Sequence, residues 1–148
     1  MKTKSTLSKG LAMLGTLFVW LPILAPILIS VIALAYEGIF RFDYLMPAEL
    51  GLFAFGGGVL LLVAAFLAHA NWKWIGWGLG IALLSVVGGQ ALAVVTGLAS
   101  GETEPIGWPW MLVIGSLIVY TLAVVEVGVG GIRLLRDLFK SPPLSHSH

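Results

Sequence analysis

A chain of 148 residues with 59% hydrophobic and only 10% charged side chains, and a mean hydropathy of +1.02, departs from soluble domains, which run at about 45–50% apolar and about 25% charged. Eight basic and seven acidic residues leave a net charge of +1, too sparse and too balanced for the basic stripe of a nucleic-acid interface. The absence of cysteine excludes disulfides, thiolate nucleophiles, iron–sulfur clusters and covalently attached c-type haem.

A bilayer span takes about 20 apolar residues, so the expected fold is an all-α bundle of four transmembrane helices in one domain over residues 1–140. The first span runs from about Gly10 to Tyr36, behind Lys2, Lys4 and Lys9. Its start is similar to a secretory signal with small residues at Ala33 and Ala35, but the uncharged stretch Leu11 to Ala35 exceeds the ~7–15 residues of a signal core, so a retained span is expected. Pro22 and Pro26 each lack an amide hydrogen and crowd the carbonyl four residues back, which predicts a kink or hinge around Phe18 to Pro26.

Between Glu37 and Glu49, Phe40, Phe42, Tyr44, Leu45 and Met46 alternate with Glu37, Arg41 and Asp43. This suits a segment lying in the interface, with Glu37 and Arg41 paired if helical, or one docking a partner. The second span covers about Ala48 to Ala70 and the third Trp74 to about Ala99, and the short Asn71 to Lys73 connection predicts an antiparallel hairpin. Ser100 to Pro105 reads as a turn, and the fourth span covers about Ile106 to Ile132. Residues 141–148 read as a disordered tail whose His146 and His148 are too few for a structural metal site.

Lys and Arg concentrate on cytoplasmic flanks. Seven of the eight (Lys2, Lys4, Lys9, Lys73, Arg133, Arg136 and Lys140) fall on one side of a four-span topology and only Arg41 on the other, with Glu37, Asp43, Glu49, Glu102 and Glu104. Both termini are therefore expected in the cytoplasm, and the protein in the inner, cell membrane. Trp72, Trp74 and Trp77 at one boundary and Trp108 and Trp110 at the other occupy aromatic-belt positions.

Helices associate in lipid through small residues and interhelical hydrogen bonds, and the chain has 19 glycines. Alternating three-and-four spacing suggests a seam Gly51, Phe55, Gly58, Leu62, Ala65, His69 on span two. The same spacing suggests Gly76, Leu79, Leu83, Val86, Gln90, Ala93, Gly97 on span three, and Leu112, Gly115, Val119, Leu122, Glu126, Val129, Arg133 on span four. Gly58, Gly76, Gly80, Gly97 and Gly130 are the candidate packing glycines, and each polar residue is expected to face protein or a water-filled cavity because it is costly against hydrocarbon.

Glu126 is the one acid well inside a span. A buried carboxylate titrates upward and can carry protons, or it can act as a packing or assembly device. Ser85 lies at a similar estimated depth and is a candidate donor to it, whereas Gln90 lies farther from the cytoplasmic end and reads as interhelical glue. His69 reads as an interfacial histidine; as the only one near a span, it would serve a two-histidine haem only between two copies. Converging metal ligands and base-activated nucleophiles are not visible, and Gly56 to Gly58 lack the lysine of a phosphate loop, so no metal, cofactor or enzyme activity is expected. In outline, four spans with one membrane carboxylate are similar to small multidrug exporters, but theirs is on the first helix and Glu126 is on the fourth, so no residue carries over. The sequence thus points to a structural or assembly subunit of a membrane complex or homo-oligomer. The alternative is a homo-oligomeric proton-coupled transporter or channel, with Glu126 as carrier, Gln90 and Ser85 lining the path and Pro22 and Pro26 as the hinge.

Overall fold

Four long helices account for most of the described residues: α1 (Lys2–Glu37), α2 (Ala48–Ala68), α3 (Trp72–Val95) and α4 (Trp108–Lys140). The computed structural model describes residues 2–38 and 48–140, with side chains from residue 6 in α1 and residue 51 in α2. The segment around Arg41 and Asp43, the side chains of Lys2, Lys4 and Glu49, and the residues around His146 and His148 lie outside the described residues. Each helix is long and apolar enough to cross a membrane. At about 1.5 Å per residue, α1 with 36 residues and α4 with 33 span about 50 Å or more, well beyond the ~30 Å hydrocarbon core. Helix α1 continues without a break through Pro22 and Pro26.

The helices assemble as two tight pairs, α1 with α2 and α3 with α4, joined mainly where α1 meets α4. Helices α2 and α3 touch less, despite their short connection, and α1 and α3 stand diagonally opposite. Glycine explains the pairing. A Cβ on Gly15 would come within 2.9 Å of the Gly57 carbonyl oxygen and the Leu61 amide; one on Gly57 would come within 2.8 Å of the Gly15 carbonyl oxygen and the Val19 amide. The two backbones therefore cross almost in contact. Gly78 serves the second pair, where a Cβ would meet Val127 at 2.8 Å, and Gly89 does so against Ser116.

The Gly56–Gly58 triplet divides its work by direction: Gly57 meets α1, Gly58 meets Leu79 of α3, and Gly56 faces outward with open space beyond it. Leu61 is fully buried at the centre and approaches both Gly15 of α1 and Gly131 of α4. The core around it is Ala12, Val19, Ala64, Ala65, Ile75, Val127 and Leu134, small or branched residues that allow close helices.

The connections are locally determined. Helix α2 ends where His69 takes a left-handed conformation (φ 52); its amide donates to the Phe66 carbonyl and that of Ala70 to the Ala65 carbonyl, the double bond pattern of a Schellman stop. Asn71 is left-handed too (φ 55), and its side chain donates to Asp137 Oδ2 at 3.1 Å instead of capping α3. Helix α3 ends before Gly97 (φ +74), and the turn closes as the Thr103 hydroxyl donates to the Thr96 carbonyl at 2.7 Å.

The Gly15–Gly57 crossing is testable by unfolding titration in detergent. Gly15→Ala or Gly57→Ala should cost about 1–3 kcal/mol, the scale of overpacking a tight contact, whereas Gly56→Ala should stay within about 0.5 kcal/mol of wild type. Equal effects at all three positions would show that the helices do not cross there.

Candidate functional site

The charged ends are clearly separated. Lys9 Nζ stands 5.1 Å from the centre of the Phe139 ring, and Asn71 is bonded to Asp137, so the start of α1, the α2–α3 connection and the end of α4 meet at one end. Lys9, Lys73, Arg133, Arg136 and Lys140 all gather there. Glu37, Glu102 and Glu104 lie at the opposite end, where α1 finishes and α3 turns into α4.

Helix register then places the polar residues. Ile75 lies against Gly130, Gly78 against Val127 and Gly89 against Ser116, so Leu79 stands level with Glu126 and Ser85 lies about 9 Å farther from the basic end, at 1.5 Å per residue. Glu126 is half-buried, on a strip of α4 with the exposed Val119, Leu122, Val129 and Arg133. The inward faces of α4 are instead Ala123 and Val127 towards α3 and Gly128 and Gly131 towards α1, with Val124 and Leu134 also buried. Gln90 is exposed on α3, in line with the exposed Leu83 and Val86, on a strip whose first residues, Gly76 and Leu79, approach Leu62 and Gly58 of α2. Ser85 is half-buried.

Among the described residues, Glu126, Gln90 and Ser85 form no hydrogen bond, and Glu126 makes no ion pair with Arg133. The fold does not bring the three together. The buried face of α3 is Ile75, Gly78, Ala82 and Gly89, rotated from the strip that carries Gln90. The reason is physical: every face of such helices is apolar, so hydrophobic periodicity carries little phase, and the position of small residues decides which side packs.

The candidate packing glycines have different fates. Gly58 and Gly130 lie in helix contacts, with Leu79 and Ile75 respectively, and Gly76 approaches Leu62. Gly80 has open space beside it and Gly97 serves the turn after α3. Pro22 is half-buried and Pro26 buried within α1. His69 is exposed, with its ring stacked on Phe66 at 6.4 Å. No group of three or more His, Cys, Asp or Glu capable of holding a metal occurs among the described residues.

Trp20 was invisible to sequence reasoning. Its indole lies across Gly128, where an added Cβ would meet Nε1 at 3.0 Å, and that N–H is buried without an acceptor among the described residues. One turn earlier Thr16 abuts Gly131 while donating to the Ala12 carbonyl at 2.7 Å. The only sequence signal for this α1–α4 contact was the glycine pair Gly128 and Gly131 at helical spacing. No known protein family, curated protein or solved structure matches the chain.

Exchange of size across this contact provides a check. Gly128→Leu should destabilise the bundle by at least about 1 kcal/mol, and Trp20→Ala in the same chain should restore part of the loss, a coupling of about 1 kcal/mol in a double-mutant cycle. Additive effects would mean that the two residues are apart.

Proposed function

We propose that the chain is a non-catalytic, multi-pass protein of the cell membrane, with both termini in the cytoplasm, that acts as a structural or assembly subunit of a membrane complex or homo-oligomer. The observation that carries this reading is the outward placement of its polar groups. Glu126 and Gln90 sit on outer flanks of α4 and α3, while the space between helices is filled by residues such as Ala12, Val19, Leu61, Ile75 and Val127. A solute path within one chain would need polar groups converging on an interior cavity. Two grooves, of about 450 and 410 Å³, instead lie on the outer surface of α2 and α3. Glu126, without a partner among the described residues, supports association with a neighbour that supplies one.

The orientation is testable with single cysteines, because the chain has none of its own. In intact cells a membrane-impermeant maleimide should label Glu102→Cys and leave Lys73→Cys unlabelled until the membrane is opened. Equal labelling of both would overturn the four-span topology.

For function, gentle detergent extraction should recover a defined complex, either with another polypeptide or with further copies of the chain, and Glu126→Leu should loosen it more than Glu126→Gln, which retains hydrogen bonding. A monodisperse single chain in the detergents that preserve other complexes would overturn the reading. The second reading, a homo-oligomeric proton-coupled transporter or channel, rests on the same unpartnered carboxylate. It requires that vesicles holding the pure protein show a pH-gradient-driven flux and that Glu126→Gln abolish that flux with assembly intact.

A further inference from the structure

At the basic end of α3 the surface opens into two neighbouring grooves. The first, of about 450 Å³, is floored by Gly76 and Gly80 and walled by Trp72, Trp77, Ile81 and Leu84, with Lys73 at its mouth. The second, of about 410 Å³, lies between α2 and α3, and shares Trp72 and Gly76 with the first. Trp72 and Gly76 thus form the divide between two apolar troughs that run side by side from one cationic end. Lys73 leans towards the Trp72 ring, with Nζ 5.9 Å from its centre, and has no carboxylate partner among the described residues.

We infer that this surface is a binding site for one anionic diacyl phospholipid, with a tail in each groove on either side of Trp72 and the headgroup phosphate at Lys73. Three observations converge. Paired troughs sharing one wall match two chains leaving one glycerol. Lys73 is the charge complement of an anionic headgroup. The first amides of α3 add positive potential at the same end, since Asn71 turns its side chain to Asp137 and does not cap them.

The spacing of Gly76 and Gly80 also suits close helix contact, but a second helix is a poor occupant. A helix is about 10 Å across, and the exposed Trp77 and Leu84 stand beside the glycine floor, so a helix backbone could not settle onto it without displacing both. A flexible acyl chain needs no such displacement. The inference rests on membrane insertion but not on the assembly role, and one measurement can distinguish them.

Native mass spectrometry of the full chain in mild detergent reads copy number and bound lipid in the same spectrum. With phosphatidylglycerol and phosphatidylcholine of identical tails, the wild type should retain the anionic lipid about fivefold more strongly, the scale of one basic side chain at an anionic surface. Lys73→Gln should remove that preference while leaving phosphatidylcholine unaffected. Gly80→Leu, built into open space, should weaken both lipids with helical content unchanged. Equal retention of the two lipids by the wild type, or a preference that survives Lys73→Gln, would overturn the site. So would disulfide-linked dimers of Gly80→Cys at the yield of a true interface, because a second copy would then occupy the groove. A change in copy number with lipid preference intact would bear on the assembly reading alone.

Discussion

Helices in water are driven together by the removal of apolar surface, but a helix that leaves lipid for another helix exchanges one apolar neighbour for another. What remains is the quality of contact, and here it is concentrated where Gly15 and Gly57 bring two backbones almost together. A single methyl at either position would press on carbonyl and amide atoms that cannot turn away, unlike the end of a flexible side chain. The α1–α2 pair depends on this crossing, and Leu61, one turn beyond Gly57, extends from it to reach Gly131 of α4. The α3–α4 pair repeats the same solution with Gly78 against Val127. Connection length is secondary: α2 and α3 are neighbours in sequence but share less contact than either has with its glycine-matched partner.

The number and extent of the helices could be read from the sequence because a run of about 20 apolar residues has few other uses. The third span, expected to begin at Trp74, starts two residues earlier at Trp72, and the fourth, expected over Ile106 to Ile132, runs from Trp108 to Lys140. The extra turns carry Arg133, Arg136 and Lys140 past the apolar zone, which hydropathy alone does not count as helix. The separation of basic from acidic ends was equally readable, because it follows from chain order once the spans are known. Helix phase was readable for α2, where Gly58 and Ala65 are buried and Phe55 and Leu62 pack against the core, but not for α3 and α4. Assuming that Glu126 and Gln90 turn inward selects faces through Leu122 and Val129, and through Leu83 and Val86, that are exposed. Small residues carried the better signal: Gly78, Ala82 and Gly89 on α3, and Ala123, Gly128 and Gly131 on α4, mark the packed faces. Gly15, five residues from Gly10, the other glycine of α1, gave no helical pattern; its importance arises only from what Gly57 places opposite it.

His69 illustrates a different limit. Its side chain invites a chemical interpretation, yet its distinctive feature is a backbone conformation that usually falls to glycine. The residue stops α2 so that Asn71 can reach Asp137, which ties the α2–α3 connection to the end of α4 at the basic face. The local geometry of three residues thus keeps Lys73 at the same end as Arg133 and Arg136, and leaves the first turn of α3 without a side-chain cap.

The depth of Glu126 shapes what a partner would have to provide. It stands level with Leu79, about 3 Å beyond Trp77 by helix rise, and therefore close to the tryptophan-rich end of α3. A half-buried carboxylate at that level can remain in reach of water while its chain is alone, which makes its outward position tolerable. A neighbour covering the α3–α4 flank would remove that water, and the carboxylate would then require a hydrogen-bond donor from the covering surface. An entirely apolar neighbour would be disfavoured there, although the surrounding Val119, Leu122 and Val129 would welcome it. The acid thus sets a chemical condition on the partner, and the glycine-built interior leaves that outer flank free to impose it.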